Sequence, residues 1–214
     1  MKKIFAFTLA EVLITVTIIG VVAAITLPTF IQNYQKHIFV NQLRKSHSLI
    51  SQAFQRMIFD ERATSFSETK YARNRYSYNG AGEYLAKYVK VVNSEYLENS
   101  DNEYINMDNT PVNDDLKKKI LLSDGSIIFD NGSYFYIDVN GEEGPNIMDR
   151  DLFKFSISTA GQLVPYTQNG IVGYEKDEYG VEDTNRPIFG SDSDCTANGC
   201  GATRIINAGW VMDY

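Results

Sequence analysis

Histidine and cysteine are scarce in this chain, which has two of each among 214 residues, with one tryptophan and five prolines. A structural zinc site takes about four ligands, and a Ser-His-Asp triad needs a histidine beside its nucleophile. His37 and His47 are ten positions apart, so they do not form the i, i+4 pair that binds a metal on one helix face. The composition therefore argues against an enzyme. We expect no catalytic residue, metal or cofactor, and two ordinary helix-surface or core-edge histidines.

Charge is also scarce at the start of the chain, and it is unevenly divided afterwards. Residues 1–28 carry two lysines and one acid. Residues 29–91 hold 10 Lys/Arg against 4 Asp/Glu, a net +6, whereas residues 92–214 hold 8 against 22, a net −14. Because acidic surfaces repel phosphates, any nucleic acid would bind at the basic segment 29–91.

A long apolar run follows the two N-terminal lysines. From Phe7 to Leu27 there are 21 residues, of which only Glu11 is charged. About 20 apolar residues in a helix span the ~30 Å hydrocarbon core of a bilayer, and a secretory signal peptide has a shorter apolar stretch of roughly 7–15 residues. Since Lys2 and Lys3 precede the run, we predict a single pass through the cytoplasmic membrane with the C-terminal part outside the cytoplasm.

A plain membrane anchor does not account for Glu11. A carboxylate at the bilayer centre costs about 2.5–3.5 kcal/mol on translocon scales, so its presence there indicates a function. The segment AFTLAE, which ends at Glu11 and is followed by the apolar run, resembles the cleavage and methylation signal of type IV pilins and type II secretion pseudopilins. The resemblance covers about the first 30 residues.

This resemblance implies a leader, residues 1–6, which a prepilin peptidase removes by cutting between Ala6 and Phe7. It also implies N-methylation of the new Phe7 amine. Family members usually have Gly before the cut, and Ala6 keeps a small side chain there. In a filament core, the Phe7 amine and the Glu11 carboxylate of a neighbouring subunit would pair, so that a buried acid becomes an attraction that fixes register. Pro28 lies where the family often carries a helix-kinking proline.

Beyond Pro28, apolar residues recur every three or four positions, which predicts an amphipathic helix. An internal proline removes one backbone donor, so we expect it to bend the helix without necessarily ending it. The prediction is one helix from near Phe5 to about Phe59, with residues 7–27 as its membrane and filament-core half and residues 28–60 as its amphipathic half. Its predicted buried face consists of Ile31, Tyr34, Ile38 or Phe39, Leu43, His47, Ile50, Phe54, Met57 and Ile58.

Polar residues dominate the stretch after this helix. Residues 60–80 and 93–115 are predicted as loops, and residues 83–92 as a short helix. Five tyrosines lie here among lysines and arginines, a mixture that binds single-stranded nucleic acid by stacking and charge. The favoured interpretation is that these tyrosines are half-buried where the head meets the helix and that the neighbouring lysines and arginines are solvated. The tyrosines are Tyr71, Tyr76, Tyr78, Tyr84 and Tyr88.

From Lys119 onwards the apolar period becomes two, which predicts β-strands. The dipeptides Asp124-Gly125 and Asn131-Gly132 are turn signals between them. We expect an antiparallel meander of four or five strands, and hence an α+β fold in which the long N-terminal helix packs on a small sheet and residues 61–214 form an extracytoplasmic head. This is the head that the pilin resemblance implies. The predicted strands are 120–122, 127–129, 134–139, 152–157 and 163–165.

The loop between the third and fourth predicted strands carries several oxygen ligands of the kind that Ca²⁺ prefers. Its first glycine is at the fourth position, whereas an EF-hand loop has glycine at the sixth. An ordinary turn with solvated acids is therefore favoured, and we predict no metal. The ligands considered are Asp138, Asn140, Glu142, Glu143, Asp149 and Asp151.

Cys195 and Cys200 are too far apart for a CxxC motif. They resemble the C-terminal disulfide loop of many pilins, which implies a bridge formed outside the cytoplasm. Closing so short a loop would stabilise the head by about 2 kcal/mol. Trp210, Met212 and Tyr214 are predicted to form a last strand or a tail packed on the head.

Taken with its motif, the chain is expected to be a structural subunit, a pilin or pseudopilin, of a type IV pilus-like or type II secretion-like filament. Its implied partners are other pilins or pseudopilins, the prepilin peptidase, an inner-membrane assembly platform with its ATPase, and the bilayer before assembly. One alternative is a minor pilin or competence pseudopilin whose head binds DNA, a surface ligand or an exported protein. A membrane-anchored extracytoplasmic enzyme is disfavoured because both histidines fall on the helix.

Overall fold

The structure is a computed structural model, and the chain has an α+β fold. Residue contacts divide it into two units, Met1–Ile38 and Phe39–Tyr214. The described residues are 8–75, 80–97, 104–112, 116, 118–167, 171–176, 182–189, 199–212 and 214. The helices are α1 (Leu9–Asp60), a 3₁₀ helix (Phe66–Glu68), α2 (Lys70–Asn74), α3 (Gly80–Leu85) and α4 (Gly201–Asn207). The strands are β1 (Val91–Tyr96), β2 (Lys118–Leu122), β3 (Ile127–Asp130), β4 (Phe135–Asp138), β5 (Leu152–Ile157), β6 (Leu163–Pro165), β7 (Ile171–Lys176) and β8 (Glu182–Phe189).

Helix α1 confirms the prediction of one long N-terminal helix. It runs for 52 residues, and Pro28 lies inside it without ending it. In the first unit the described residues of α1 are almost all exposed, including Ile31, Tyr34 and Ile38. The prediction that Ile31 and Tyr34 are buried is therefore wrong, because no described residue of that unit covers them. Of the alternatives Ile38 and Phe39, Phe39 is the buried one. The helix is long and apolar enough to cross a membrane.

The second part of α1 packs on a sheet, as the helical spacing predicted. Its buried residues are Phe39, Val40, Leu43, Ser46, Ile50, Ala53, Phe54 and Met57. The Phe54 ring meets the Phe135 ring of β4 edge to face, with centroids 5.7 Å apart. His47 and Ile58 are half-buried at the margins of this face. The three buried positions that the periodicity missed, at 40, 46 and 53, carry valine, serine and alanine, whose small side chains lie between the larger ones.

Six antiparallel strands form the main sheet in the order β1 to β6, so each strand neighbours the next one in the chain. The meander is confirmed, with one strand more than the upper estimate. Gly125 and Gly132 have φ values of 89° and 87°, the left-handed conformation that these turns require and that glycine adopts without strain.

The two faces of the sheet carry separate cores. On one face, α1 packs against β-strand residues such as Ile128, Phe153 and Phe155. On the other face, Phe129 and Tyr136 pack with residues of the loops that cross the sheet. Because one face of the sheet packs on α1 in the first core, apolar residues alternate along the strands. The second core explains why β3 and β4 are buried on both faces.

Several elements correct the sequence predictions for the loops. Within residues 60–80 the chain forms the 3₁₀ helix and α2, which begins where Thr69 Oγ1 accepts a hydrogen bond from the N–H of Ala72 at 3.2 Å. Residues 104–112 form a loop that is anchored at both ends, since the Tyr104 and Val112 side chains are buried in the second core, whereas residues 107–111 are exposed as predicted.

The predicted helix at 83–92 is also wrong after Leu85. Helix α3 ends at Leu85. Strand β1 begins with two β-branched residues, Val91 and Val92, and pairs with β2. The β1 side chains are mostly exposed, so the strand lacks the alternation that reveals a strand in a sequence.

At the C-terminal end, β7, β8 and α4 are elements that the sequence patterns did not predict. The β7–β8 pair forms its own sheet, and its register is interrupted twice. Pro187 within β8 is a residue that argues against a strand in sequence analysis. After α4, Met212 is buried, and Trp210 and Tyr214 pack against the first core. A packed tail is thus confirmed, and the last strand is not.

Candidate functional site

The N-terminal signal is only partly described by the structure. Ala6, Phe7 and the rest of residues 1–7 lie outside the described residues. Glu11 is exposed in the first turn of α1. Predicted cleavage, methylation and the assembly role of Glu11 therefore stay predictions, as does the kink at Pro28.

Thr8 and Glu11 bond to each other at the start of α1. The N–H of Thr8 donates to Glu11 Oε2 at 2.8 Å, and the Thr8 hydroxyl donates to the same oxygen at 2.9 Å. The N–H of Glu11 donates to Thr8 Oγ1 at 3.3 Å. This reciprocal arrangement is a capping box, which satisfies backbone donors that the first turn of a helix leaves without partners. The signal T-x-x-E was visible in the sequence, but Thr8 was not among the predicted site residues.

From Val12 to Leu27 the helix that follows has a largely apolar, exposed surface. No residue is buried in the most apolar 18-residue stretch of the helix. The hydroxyl groups of Thr15, Thr17 and Thr26 donate to backbone carbonyls one turn earlier, at 2.8–2.9 Å. Their polar atoms therefore find partners inside the helix, which suits a bilayer or a dry helix bundle. Glu11 is the only charged side chain from Thr8 to Gln35.

Several of the basic and aromatic residues considered for nucleic-acid binding are buried or half-buried in the head. Tyr71 is fully buried, and Tyr84 and Tyr88 are half-buried against the first core. Arg75 is buried in an ion pair with Asp130. Packed tyrosines are confirmed at these three positions, but Tyr71 is fully buried rather than half-buried, and Arg75 is not a solvated cation. Tyr76 and Tyr78 lie outside the described residues.

His47 occupies the edge of the core rather than a ligand site. Its Nε2 lies 2.9 Å from the Leu163 carbonyl oxygen, and its ring packs beside Phe155 and Trp210. Burial lowers the pKa of His47, although the bond to Leu163 opposes this shift. His37 is exposed.

Three of the five acids in the 138–151 loop are buried, contrary to the prediction of a turn with solvated acids, and the other two are exposed as predicted. Asp138, Asp149 and Asp151 are at most 7% exposed. Asp138 Oδ1 accepts the N–H groups of Asn140 and Gly141, and its Oδ2 accepts the Tyr104 hydroxyl. Backbone amides thus replace water around these carboxylates. The carboxylates of Glu142 and Glu143 stay exposed.

Asp149 ties this loop to the C-terminal part of the head. Its Oδ2 accepts the N–H of Gly199 and its Oδ1 that of Gly201, both at 2.7 Å. The Tyr214 hydroxyl donates to the backbone oxygen of Asp149 at 2.8 Å. Burial raises the pKa of Asp149, and the amide donors oppose that shift. Among the described residues, no three His, Cys, Asp or Glu side chains are placed to hold a metal ion together.

Cys200 is buried next to this contact. Cys195 lies outside the described residues, so the disulfide between them stays a prediction.

The contribution of Asp138 to the stability of the head should fall as the pH rises from about 4 to about 7. Burial, with a contribution from Asp151, raises the pKa of Asp138 to about 7, while the hydrogen bond from Tyr104 opposes the shift. The native state therefore holds a proton that the unfolded state releases above its own lower pKa. The stabilising effect of that proton is present below the unfolded pKa and is lost as the pH passes through 7. Urea unfolding in detergent at pH 5 and pH 8 measures it.

Asp138→Asn should reduce this difference in unfolding free energy between pH 5 and pH 8. Asp108→Asn is the matched control, because Asp108 is exposed and its hydrogen bonds to Thr110 lower its pKa. An equal pH dependence in wild type and Asp138→Asn would contradict the prediction.

Comparisons of the chain with protein-family models, curated proteins and solved structures found no match. The assignment of a function therefore depends on the residues themselves. Three features of the chain bear on its function: the AFTLAE segment, the exposed apolar helix with its single acid, and the α+β head.

Proposed function

We propose that this protein is a structural subunit, a pilin or pseudopilin, of a type IV pilus-like or type II secretion-like filament. A prepilin peptidase removes residues 1–6, and the Phe7 amine is methylated. Before assembly, the processed subunit lies in the cytoplasmic membrane with its head outside the cytoplasm. An assembly platform with its ATPase transfers it into a filament, whose core is formed by residues 7–27 of neighbouring subunits.

The observation that carries this proposal is the position of Glu11. It lies in the first turn of an exposed apolar helix that is long enough to cross a membrane. A carboxylate in such a segment is unfavourable in lipid unless a cation partners it. An amine created at Phe7, four residues earlier in a neighbouring subunit, supplies that cation.

The head supports the same proposal by its architecture. The second part of α1 is buried on one side by the antiparallel sheet. On the other side it presents polar and basic side chains such as Arg44, Gln52 and Arg56. One continuous helix thus supplies both an apolar segment for assembly and the core of the head. This arrangement couples a filament core to a water-soluble surface.

Co-expression with a prepilin peptidase should yield a mature chain that begins at Phe7. Intact-mass measurement distinguishes this product, with or without one added methyl group, from the precursor. Ala6→Asp should block processing because a charge replaces a small neutral side chain beside the cut. Ala6→Gly is the matched control and should be cut at least as fast as wild type. A mature N-terminus beyond residue 20 would instead indicate a secretory signal peptide and would contradict the proposal.

A further inference from the structure

His47 joins three parts of the head. From α1, its Nε2 lies 2.9 Å from the carbonyl oxygen of Leu163 in β6, the last strand of the main sheet. Its ring centroid lies 5.5 Å from that of Phe155 in β5 and 5.6 Å from that of Trp210, which it meets edge to face. Trp210 lies in the segment that follows α4. One imidazole therefore connects the long helix, the edge of the sheet and the C-terminal segment.

The contact with Leu163 determines where His47 can take up a proton. A carbonyl oxygen only accepts hydrogen bonds, so Nε2 carries the hydrogen of the neutral ring. Ser51 Oγ accepts the Leu163 N–H at 3.2 Å, so side chains of α1 bond both backbone groups of that residue. A further proton must enter at Nδ1, which receives no hydrogen bond from the described residues. In this conformation the protonated ring would hold a donor without a partner.

A positive charge on His47 would be unfavourable in this position. Burial lowers its pKa, and the bond to Leu163 opposes that shift. Arg44, one turn earlier on α1, already holds a guanidinium over the Trp210 ring, 5.7 Å from the centroid, so that ring already attracts a cation. A protonated His47 would therefore be a second cation at the same ring, in apolar surroundings.

The charged side chains near His47 on the described elements are cations. Strand β6 has no charged residue, and the Lys154 ammonium of β5 lies over the Tyr134 ring. Asp213, in the segment after α4, lies outside the described residues. The cations are Arg44 and Lys45 within one turn of His47 on α1, Lys154 on β5 and Arg204 on α4.

Residues 208–211, here called the tail turn, include an unfavourable backbone conformation. Gly209 and Trp210 both have left-handed φ values, 72° and 67°. Glycine adopts this region freely, whereas a tryptophan stays there only when its surroundings hold it. The Trp210 N–H donates to the Ile205 carbonyl oxygen at 2.7 Å, and its ring packs on His47. Weakening the contact between the rings therefore favours a second arrangement of the tail turn.

We propose that His47 is a pH-sensitive latch in the head, which holds the tail turn against α1 when neutral and releases it when protonated. In the released form water reaches the imidazole, which then has its ordinary pKa of 6.5. The closed form binds the proton more weakly, so a fall in pH below that value favours the released form. The inference does not depend on the proposed function, because all of these contacts lie within the head.

Fluorescence and NMR of the full chain in detergent test the latch, because the sequence has one tryptophan and two histidines. As the pH falls from 8 to 5, the emission of Trp210 should shift to longer wavelength and its quenching by acrylamide should increase. Histidine ring resonances, assigned with His37→Gln, give the protonation midpoint of His47. We expect this midpoint to lie below 6.5 and to coincide with the midpoint of the Trp210 transition.

His47→Gln removes the titration and keeps a donor for Leu163, since an amide N–H replaces the ring N–H. The Trp210 transition should be lost in this variant, with emission at pH 5 close to that at pH 8. His37→Gln is the matched control and should keep the wild-type transition, because His37 is exposed on the same helix. The buried acids of the 138–151 loop are present in both variants, so their protonation does not explain a difference between them.

Two results would overturn the inference. One is a Trp210 transition that persists in His47→Gln, since other titrating groups would then cause it. The other is a wild-type chain in which His47 takes up its proton without a change in Trp210 emission, or at a different midpoint. This second result comes from the unaltered chain, so it is decisive even if His47→Gln does not fold.

Discussion

Glu11→Val is expected to abolish or strongly reduce filament yield while leaving membrane insertion and leader removal unchanged. Insertion should be at least as favourable as in wild type, because the variant removes an intramembrane charge. Cleavage should persist because Glu11 lies four positions after Phe7, the first residue beyond the cut. Assembly fails because the Phe7 amine of the neighbour is then buried without its counter-charge, which is strongly unfavourable in low dielectric. Sheared filament is measured beside total membrane-bound subunit.

Matched variants show which property of Glu11 matters. Glu11→Gln keeps the size and the hydrogen-bonding oxygen but removes the charge, so it should assemble poorly as well. Thr15→Val serves as the control, since it changes a polar residue of the same helix whose hydroxyl only returns to the backbone at 2.9 Å. Filament yields equal to wild type in both Glu11 variants would mean that the acid does not fix the register.

The long helix was predictable from the sequence because its signals are local and repeated. Apolar residues at intervals of three and four, with few helix breakers, continue from the apolar run into the second half of α1. The buried positions Leu43, Ile50 and Phe54 follow from that spacing alone. Which side of the earlier segment is covered does not follow, because burial at Ile31 and Tyr34 depends on partners that the spacing does not identify.

The hairpins were predictable for a similar reason, and β1 was not. Asp124-Gly125 and Asn131-Gly132 fix the turns, and alternation fixes the strands on both sides of them. β1 is an edge strand with exposed side chains, so its conformation depends on pairing with β2. Such pairing is a tertiary interaction that local sequence does not encode.

Buried polar contacts were the least predictable part of the head. Asp130, Asp138 and Asp149 resemble surface turn acids in the sequence, since each lies beside glycine or asparagine or in a polar loop. Their burial results from backbone N–H groups that the turns themselves supply, and from distant donors such as Tyr71 and Tyr104. Separations of more than 30 positions between acid and tyrosine leave no local pattern to detect.

Arg75→Ala is expected to lower the free energy of unfolding of the head by about 3–5 kcal/mol, the range for breaking a buried ion pair. Arg75 Nη2 lies 2.8 Å from Asp130 Oδ1, and the Asp130 side chain is fully buried. Nε of Arg75 also donates to both carboxylate oxygens, at 3.1 and 3.0 Å. Without the guanidinium, Asp130 is left as a buried charge. The remaining donors are Gly132 N–H and the Tyr71 hydroxyl, at 2.9 and 2.5 Å.

Those two remaining donors do not replace the lost cation. Burial raises the pKa of Tyr71, so its hydroxyl stays neutral and donates a proton without supplying positive charge. Lys45→Ala is the control, because Lys45 pairs with Asp124 at a similar distance of 2.9 Å but its side chain is 64% exposed. An exposed pair of this kind contributes about 0–1 kcal/mol. Urea unfolding of the full chain in detergent compares the two variants. Similar losses in both would show that Arg75 is not needed to balance the Asp130 charge.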